Sequence, residues 1–281
     1  EESDKEYQIK FNGMIQKQAN HLMNEINKSE LVDDKMIGCA AIILVGLCYK
    51  NEKNYLEFGL NLLKKISKLS FDNHGFTKSR NIRQLIFYLK YFVLIREWFR
   101  EAQIQIPESI NETIYYLGKG YAFSWQNIKF DILLNGNNVS NNAEFDHYLK
   151  RFGYKFKNED KEFGGYAILH NKKVALVMDM GSPPTSKFSE NYQSGALSFE
   201  FISNNKKLIS NCGYYYGQNS KLKELSKSTA AHSTLIIDDH SSCHYEKIDR
   251  ENYLVRDGLK ILNKNIIFEK NYWKLSASHN G

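Results

Sequence analysis

The chain has 281 residues, 42% hydrophobic and 25% charged, the balance of an ordinary folded protein and length enough for two domains. Its 38 Lys and Arg against 32 Asp and Glu give a net charge of +6, scattered along the chain; this argues against a nucleic-acid-binding tail and suits an acidic partner no better than an incidental surplus of surface Lys. Cys39, Cys48, Cys212 and Cys243 form no CxxC pair, so no disulfide framework is implied.

Apolar residues at helical spacing predict a first helix over about Tyr7 to Lys28, with Leu22 and Ile26 on its stripe. Asp33-Asp34 reads as the cap of an apolar helix from Lys35 to Tyr49. Its longest apolar stretch, Met36 to Tyr49, falls short of the roughly 20 residues a bilayer requires, so no transmembrane segment is expected. Leu56, Leu60, Leu63 and Ile66 mark a third helix, and Ile82 to Arg100 a fourth. Pro107 opens a fifth through Ile110, Ile114, Leu117 and Tyr121. Consecutive helices with short connections are the pattern of antiparallel helix hairpins.

Asn135 to Asn138 then form a polar turn, and Phe145 to Phe152 one more short helix. From Gly164 the period changes to strands: Tyr166 to His170, Lys173 to Met180, Ala196 to Ile202, Lys207 to Asn211, Ser233 to Asp238, Asn252 to Leu262 and Tyr272 to Ser278. Asn204-Asn205 and Asp257-Gly258 are turn signals. Helices first and strands after give a multi-domain α-then-β class with a break near residue 140, hence domains 1–140 and 141–281. The opening residues are no signal peptide and lack Met, and the chain stops in an expected strand. A fragment without its natural ends is therefore expected, and the compartment is left open.

Some clusters hold chemistry-bearing side chains. Asp238, Asp239, His240, Cys243 and His244 could be ligands, but in a β-turn their spacing does not align them, and a polar hairpin loop is the simpler reading. Tyr214-Tyr215-Tyr216 offers sugar-stacking faces, half of them expected in the core. Gly118-Lys119-Gly120 lacks the preceding strand of a phosphate loop, and no GxSxG or HExxH motif occurs.

Three stretches occur in a distinctive order. The first is Val177-Met178-Asp179-Met180-Gly181, followed by Gly195-Ala196-Leu197-Ser198-Phe199-Glu200-Phe201. The second is Leu208-Ile209-Ser210-Asn211-Cys212-Gly213. The third is Lys227-Ser228-Thr229-Ala230-Ala231-His232-Ser233-Thr234, then Asp238. Together they resemble the heparinase II/III-like family. The resemblance implies an α/α toroid of helix hairpins followed by an antiparallel β-sandwich, of which this chain covers the end of one and the start of the other. It implies a bacterial, periplasmic or cell-envelope carbon–oxygen lyase that cleaves an acidic, uronic-acid polysaccharide by β-elimination. The alternative is a non-catalytic glycan-binding or cell-envelope protein on the same architecture. A hydrolase would need a carboxylate pair that cannot be placed.

Elimination requires the uronate charge to be neutralised, a base for the carbon-bound proton and an acid for the leaving oxygen. The resemblance puts Tyr192, His232 and Arg80 forward as catalytic. Asn81, Tyr88, Asn135, Gln193, Tyr216 and Lys227 become candidates for binding substrate. Capping of the following helix is the preferred reading for Asn81 and the alternative for Arg80, and a core histidine is the alternative for His232. The family's sandwich metal is typically held by two His and an Asp. Here Gln193 and Asn211 occupy two of those positions and only His232 remains, so no zinc is expected.

Overall fold

The computed structural model describes residues 2–49, 53–248 and 253–280. The chain forms two compact units, one made of Glu1–Phe71 with Phe87–Tyr115, the other of Asp72–Ile86 with Tyr116–Gly281. The change from helix to sheet near residue 140 thus falls inside the second unit.

The first unit is helical. Its elements are α1 (Glu2–Glu25), a 3₁₀ turn at Ile26–Lys28, α2 (Val32–Cys48), α3 (Lys53–Ser70) and parts of α4 (Ile82–Glu101) and α5 (Glu108–Tyr121). Helix α2 is almost wholly apolar after its first turn, and Met36, Cys39, Ile42 and Ile43 are fully covered while Ile37 stays exposed. It meets α3 closely: a Cβ on Gly46 would stand 2.8 Å from Leu56 Cα. Leu63, Ile66, Leu89, Phe92 and Phe99 complete this core, each contributing roughly 1.5–3 kcal/mol by leaving water. Asp33 and Asp34 lie in the first turn of α2, where they favour its dipole; neither caps it, since residue 31 takes that place without a side-chain bond.

The second unit holds the start of α4, the end of α5, a five-residue π-helical continuation at Ala122–Gln126, α6 (Asn142–Arg151) and α7 (Ser220–Lys227). It also holds every strand found among the described residues. β1 (Glu162–Phe163), β2 (Tyr166–His170), β3 (Val174–Asp179), β4 (Phe199–Ser203) and β5 (Lys206–Ile209) form one antiparallel meander in chain order. Two separate hairpins follow, β6 (His244–Lys247) with β7 (Tyr253–Asp257) and β8 (Ile261–Phe268) with β9 (Trp273–His279). β3 alternates between half-buried and buried positions, which puts Asp179 on the same inward side as Ala175 and Val177.

The predicted strand Ser233–Asp238 does not form; only an isolated bridge joins Ile237 to His240. Ser233 instead spends its backbone N–H on Asn211 Oδ1 at 3.0 Å. The expected strand Asn252–Leu262 is two strands parted after Asp257, because Leu259 turns into a cluster with Tyr192, Cys243 and Val255; Asn252 itself lies outside the described residues. Helix α7 was not foreseen. Its signal was present in Asn219, whose side chain accepts from Lys221 N at 3.1 Å and Leu222 N at 3.2 Å.

Candidate functional site

The β2–β3 register sets Tyr166 opposite Asp179 and so builds a buried polar centre. Arg80 enters it from the segment before α4. Its Nε donates to Gly164 O (3.2 Å), Nη1 to Gly181 O (3.0 Å) and Ser182 O (3.2 Å), and Nη2 to Gly165 O (3.0 Å) and the Asp179 carboxylate. A guanidinium carries five N–H groups, and here all five are engaged. Its plane also stacks on Tyr166, 4.9 Å from the ring centre. The slot is walled by glycine: a Cβ on Gly165 or Gly181 would collide with the guanidinium. Asn135 closes the other side, its Nδ2 donating to Tyr166 Oη at 2.9 Å and Asp179 Oδ2 at 2.8 Å. This arrangement leaves Arg80 no donor for a uronate, so its expected clamp role gives way to a structural one. Asn135 likewise spends its amide N–H groups within the protein.

The turn after Asn135 carries the next layer. Asn81 Oδ1 accepts from Gln84 N at 3.2 Å, the capping role foreseen for it. Gly136, with φ of 81°, rests against the Asn81 amide. Its N–H donates to Gln193 Oε1 at 3.1 Å, and its carbonyl accepts from Tyr216 Oη. Gln193 is fully buried and also donates to Gly213 O (3.1 Å) and Ser226 O (2.6 Å). Tyr216 is 43% exposed, but Arg83 lies over its ring with Cζ 4.2 Å from the centroid, and Tyr214 meets it edge-on at 4.8 Å. Arg83 was not singled out in the sequence; its place in the first turn after the Asn81 cap is the signal that could have found it.

His232 is nearly buried, and its Nε2 lies 3.2 Å from Ser226 O. A carbonyl only accepts, so Nε2 carries the proton and Nδ1 holds the lone pair. That Nδ1 is buried and without a partner among the described residues. Burial holds the imidazole pKa down to about 4, with the Ser226 carbonyl and Asp179 pulling weakly the other way. The ring is neutral at ordinary pH.

Tyr192 is buried, its hydroxyl unpartnered among the described residues, in the cluster with Ala196, Cys243, Val255 and Leu259. Burial, then the Asp179 charge, pushes its phenol well above the usual value, and Arg80 offsets this only in part. A buried phenol shifted upward is the wrong group for a base, so the expectation that Tyr192 takes the proton is corrected. Lys227 is not free to activate it. Its Nζ donates to Glu190 O and to Tyr253 O (2.8 Å), among the rings of Tyr214, Tyr245 and Tyr253 at 5.3–6.0 Å. Burial, helped by Lys223, lowers its pKa to about 8. Tyr88 belongs to the core of the helical unit, donating to Asp33 Oδ1 at 2.8 Å and accepting from Ser70 at 3.1 Å.

The metal positions have the same self-sufficient character. Asn211 Oδ1 accepts from Ser233 N, and Gln193 Oε1 from Gly136 N, so each amide oxygen already has a donor within the protein. Two neutral amides beside one imidazole are a poor donor set for zinc. Glu200, from the Leu-Ser-Phe-Glu stretch, is also an internal anchor, accepting from Lys207 Nζ (2.8 Å), Asn211 N (3.1 Å) and Leu133 N (3.3 Å).

The family described as Heparinase II/III-like, C-terminal, matches residues 159–281. That match covers the strand-bearing part of the chain, somewhat less than half of its length. No curated protein matches the chain in sequence. Among solved structures, it is similar to the heparan sulfate lyase HepC from Pedobacter heparinus, with 14% identity over 91% of this chain and 44% of that one and a TM-score of 0.67. A heparinase III gene product aligns at 17% identity over 93% of this chain and 43% of that one, with a TM-score of 0.69. The crystal structure of heparinase III aligns at 15% identity, 89% and 43%, with a TM-score of 0.64. The chain therefore spans less than half the length of these heparinases, and at such identities the likeness is one of fold. No helix among the described residues is long and apolar enough to cross a membrane.

Proposed function

We propose that the chain is part of a polysaccharide lyase-like protein, an α/α toroid followed by a β-sandwich, that acts on an acidic, uronate-containing glycan by β-elimination. The heparan sulfate named for a similar structure is the first glycan to test. The observation that carries this reading is His232: a neutral imidazole whose Nδ1 lone pair is unspent, in a wall where neighbouring polar groups are mostly bonded to one another. In the reaction a base removes the proton on the carbon bearing the carboxylate, electrons form the C4–C5 double bond as the C4–oxygen bond breaks, and the leaving oxygen takes a proton from solvent. His232 Nδ1 is the proton acceptor in this scheme, which requires the groups covering it to move aside, since the atom is buried in the structure. With a pKa of about 4 it is always in the base form near neutrality but is weak, so the substrate carboxylate must be well neutralised.

The product is a 4,5-unsaturated uronate that absorbs in the ultraviolet. Incubation of the full protein with a panel of uronic-acid polysaccharides should raise that absorbance, and His232→Ala should abolish it. A signal undiminished in His232→Ala would remove His232 from the mechanism. We further propose that no zinc ion serves this site; one equivalent of zinc in purified protein, lost on His232→Ala, would overturn that.

A second reading, a non-catalytic glycan-binding protein, is favoured by the burial of Tyr192 and the full engagement of Arg80. Binding without absorbance change across the panel would select it. Absence of binding would undercut both readings.

A further inference from the structure

We infer that Arg83, stacked on Tyr216, is the carboxylate-recognising residue of this wall; the inference rests on the acidic-glycan reading above. Four observations lead to it. Among the expected basic residues, Arg80 has all five donors engaged inside the protein, and Lys227 holds two carbonyls in a tyrosine cage. Arg83, by contrast, is exposed, with its Cζ over the Tyr216 ring at 4.2 Å.

A guanidinium held over an aromatic face by its central carbon keeps N–H groups at its edge for other partners, and a guanidinium edge can meet a carboxylate through two parallel hydrogen bonds. The ring beneath is itself held, since Tyr216 Oη donates to Gly136 O and Tyr214 braces its edge, so the cation is presented on a support of restricted motion. Finally, Gly136 joins this platform to Gln193, and Gln193 and His232 both bond Ser226 O. The cation and the free imidazole nitrogen thus stand on one connected frame. The first turn of α4 contains no acidic side chain to compete for Arg83.

This also alters the role of Tyr216. Its face is covered by Arg83, so it serves as the bed for a cation, and the expected sugar stacking on that face does not occur.

The test compares one uronate polysaccharide bound by the wild type with its carboxyl-reduced counterpart. Arg83→Gln should weaken binding of the native glycan about 10- to 100-fold, the scale of a hydrogen-bonded charge contact. It should leave binding of the carboxyl-reduced glycan unchanged. Arg83→Lys, which keeps charge but loses the planar fork, should recover only part of the loss. Wild-type binding that is unaffected by Arg83→Gln overturns the inference and leaves the acidic-glycan reading standing. Equal losses for native and reduced glycan also overturn it, since they mark a structural role. No binding by the wild type overturns the reading on which it rests.

Discussion

Arg80 illustrates how a residue that looks poised for substrate can be consumed by the fold. Its guanidinium replaces a water shell with four carbonyls and one carboxylate, and Asp179 opposite it is wholly buried. Removing one partner of such a pair leaves a buried charge without compensation, at a cost of roughly 3–5 kcal/mol. Arg80→Gln should therefore lower stability by about that amount in urea unfolding, whatever it does to activity. A variant with wild-type stability would show that the pair contributes nothing net. His232 supports a second prediction. Its pKa is near 6.5 when unfolded and about 4 when folded. Between those values the unfolded chain binds more protons, so stability rises with pH across the window and is lost as pH falls from about 6.5 towards 4. The interval corresponds to about 3 kcal/mol. Urea midpoints of wild type and His232→Gln at pH 7 and 4.5 measure it, and the wild type should lose more than the variant. Equal losses would mean that the imidazole is solvated.

At the scale of elements, the asparagine–glycine turn at 135–136 is what joins the start of α4 to the sheet side of its unit. Gly136 has a positive φ, and a Cβ there would stand 2.9 Å from Asn191 Cβ and closer still to the Asn81 amide. Gly136→Ala should thus cost more than about 1 kcal/mol through strain and displaced neighbours. Because the same residue anchors Gln193 and Tyr216, glycan affinity should fall with it; retained affinity in a destabilised variant would uncouple the turn from the site. Helices and most strands were legible because period and caps are local. Tyr166–His170 was read as the chain folds it, and Asn81 was read as a cap. Ser233–Asp238 misled because its alternation is real but its first N–H belongs to Asn211. The side-chain roles were less legible, since they depend on partners far along the chain: Arg80 is engaged by residues about a hundred positions away, as the Asp179 pair shows. Sequence placed Arg80 before a helix and could not count its donors.

For the whole molecule, the net charge of +6 and the local cation at Arg83 make different demands on acidic-glycan binding. A diffuse surplus of scattered Lys acts through solvent and is screened once ions crowd within a Debye length, about 10 Å at 0.1 M and 3 Å at 1 M. A contact-distance charge on a ring support loses less to screening than distant charges do, but it still weakens. Affinity for a uronate polysaccharide should therefore fall with added salt in both wild type and Arg83→Gln, with the difference between them persisting. The same comparison explains why the charge total could not identify the site: the number that sequence supplies is a sum, and the groups that fold into Arg80- and Lys227-like positions are withdrawn from it. Titrating both proteins with glycan at about 0.05 M and about 0.5 M salt gives the measurement. A gap between them that closes completely at the higher salt would assign Arg83 to the diffuse field and leave the wall without a dedicated carboxylate contact.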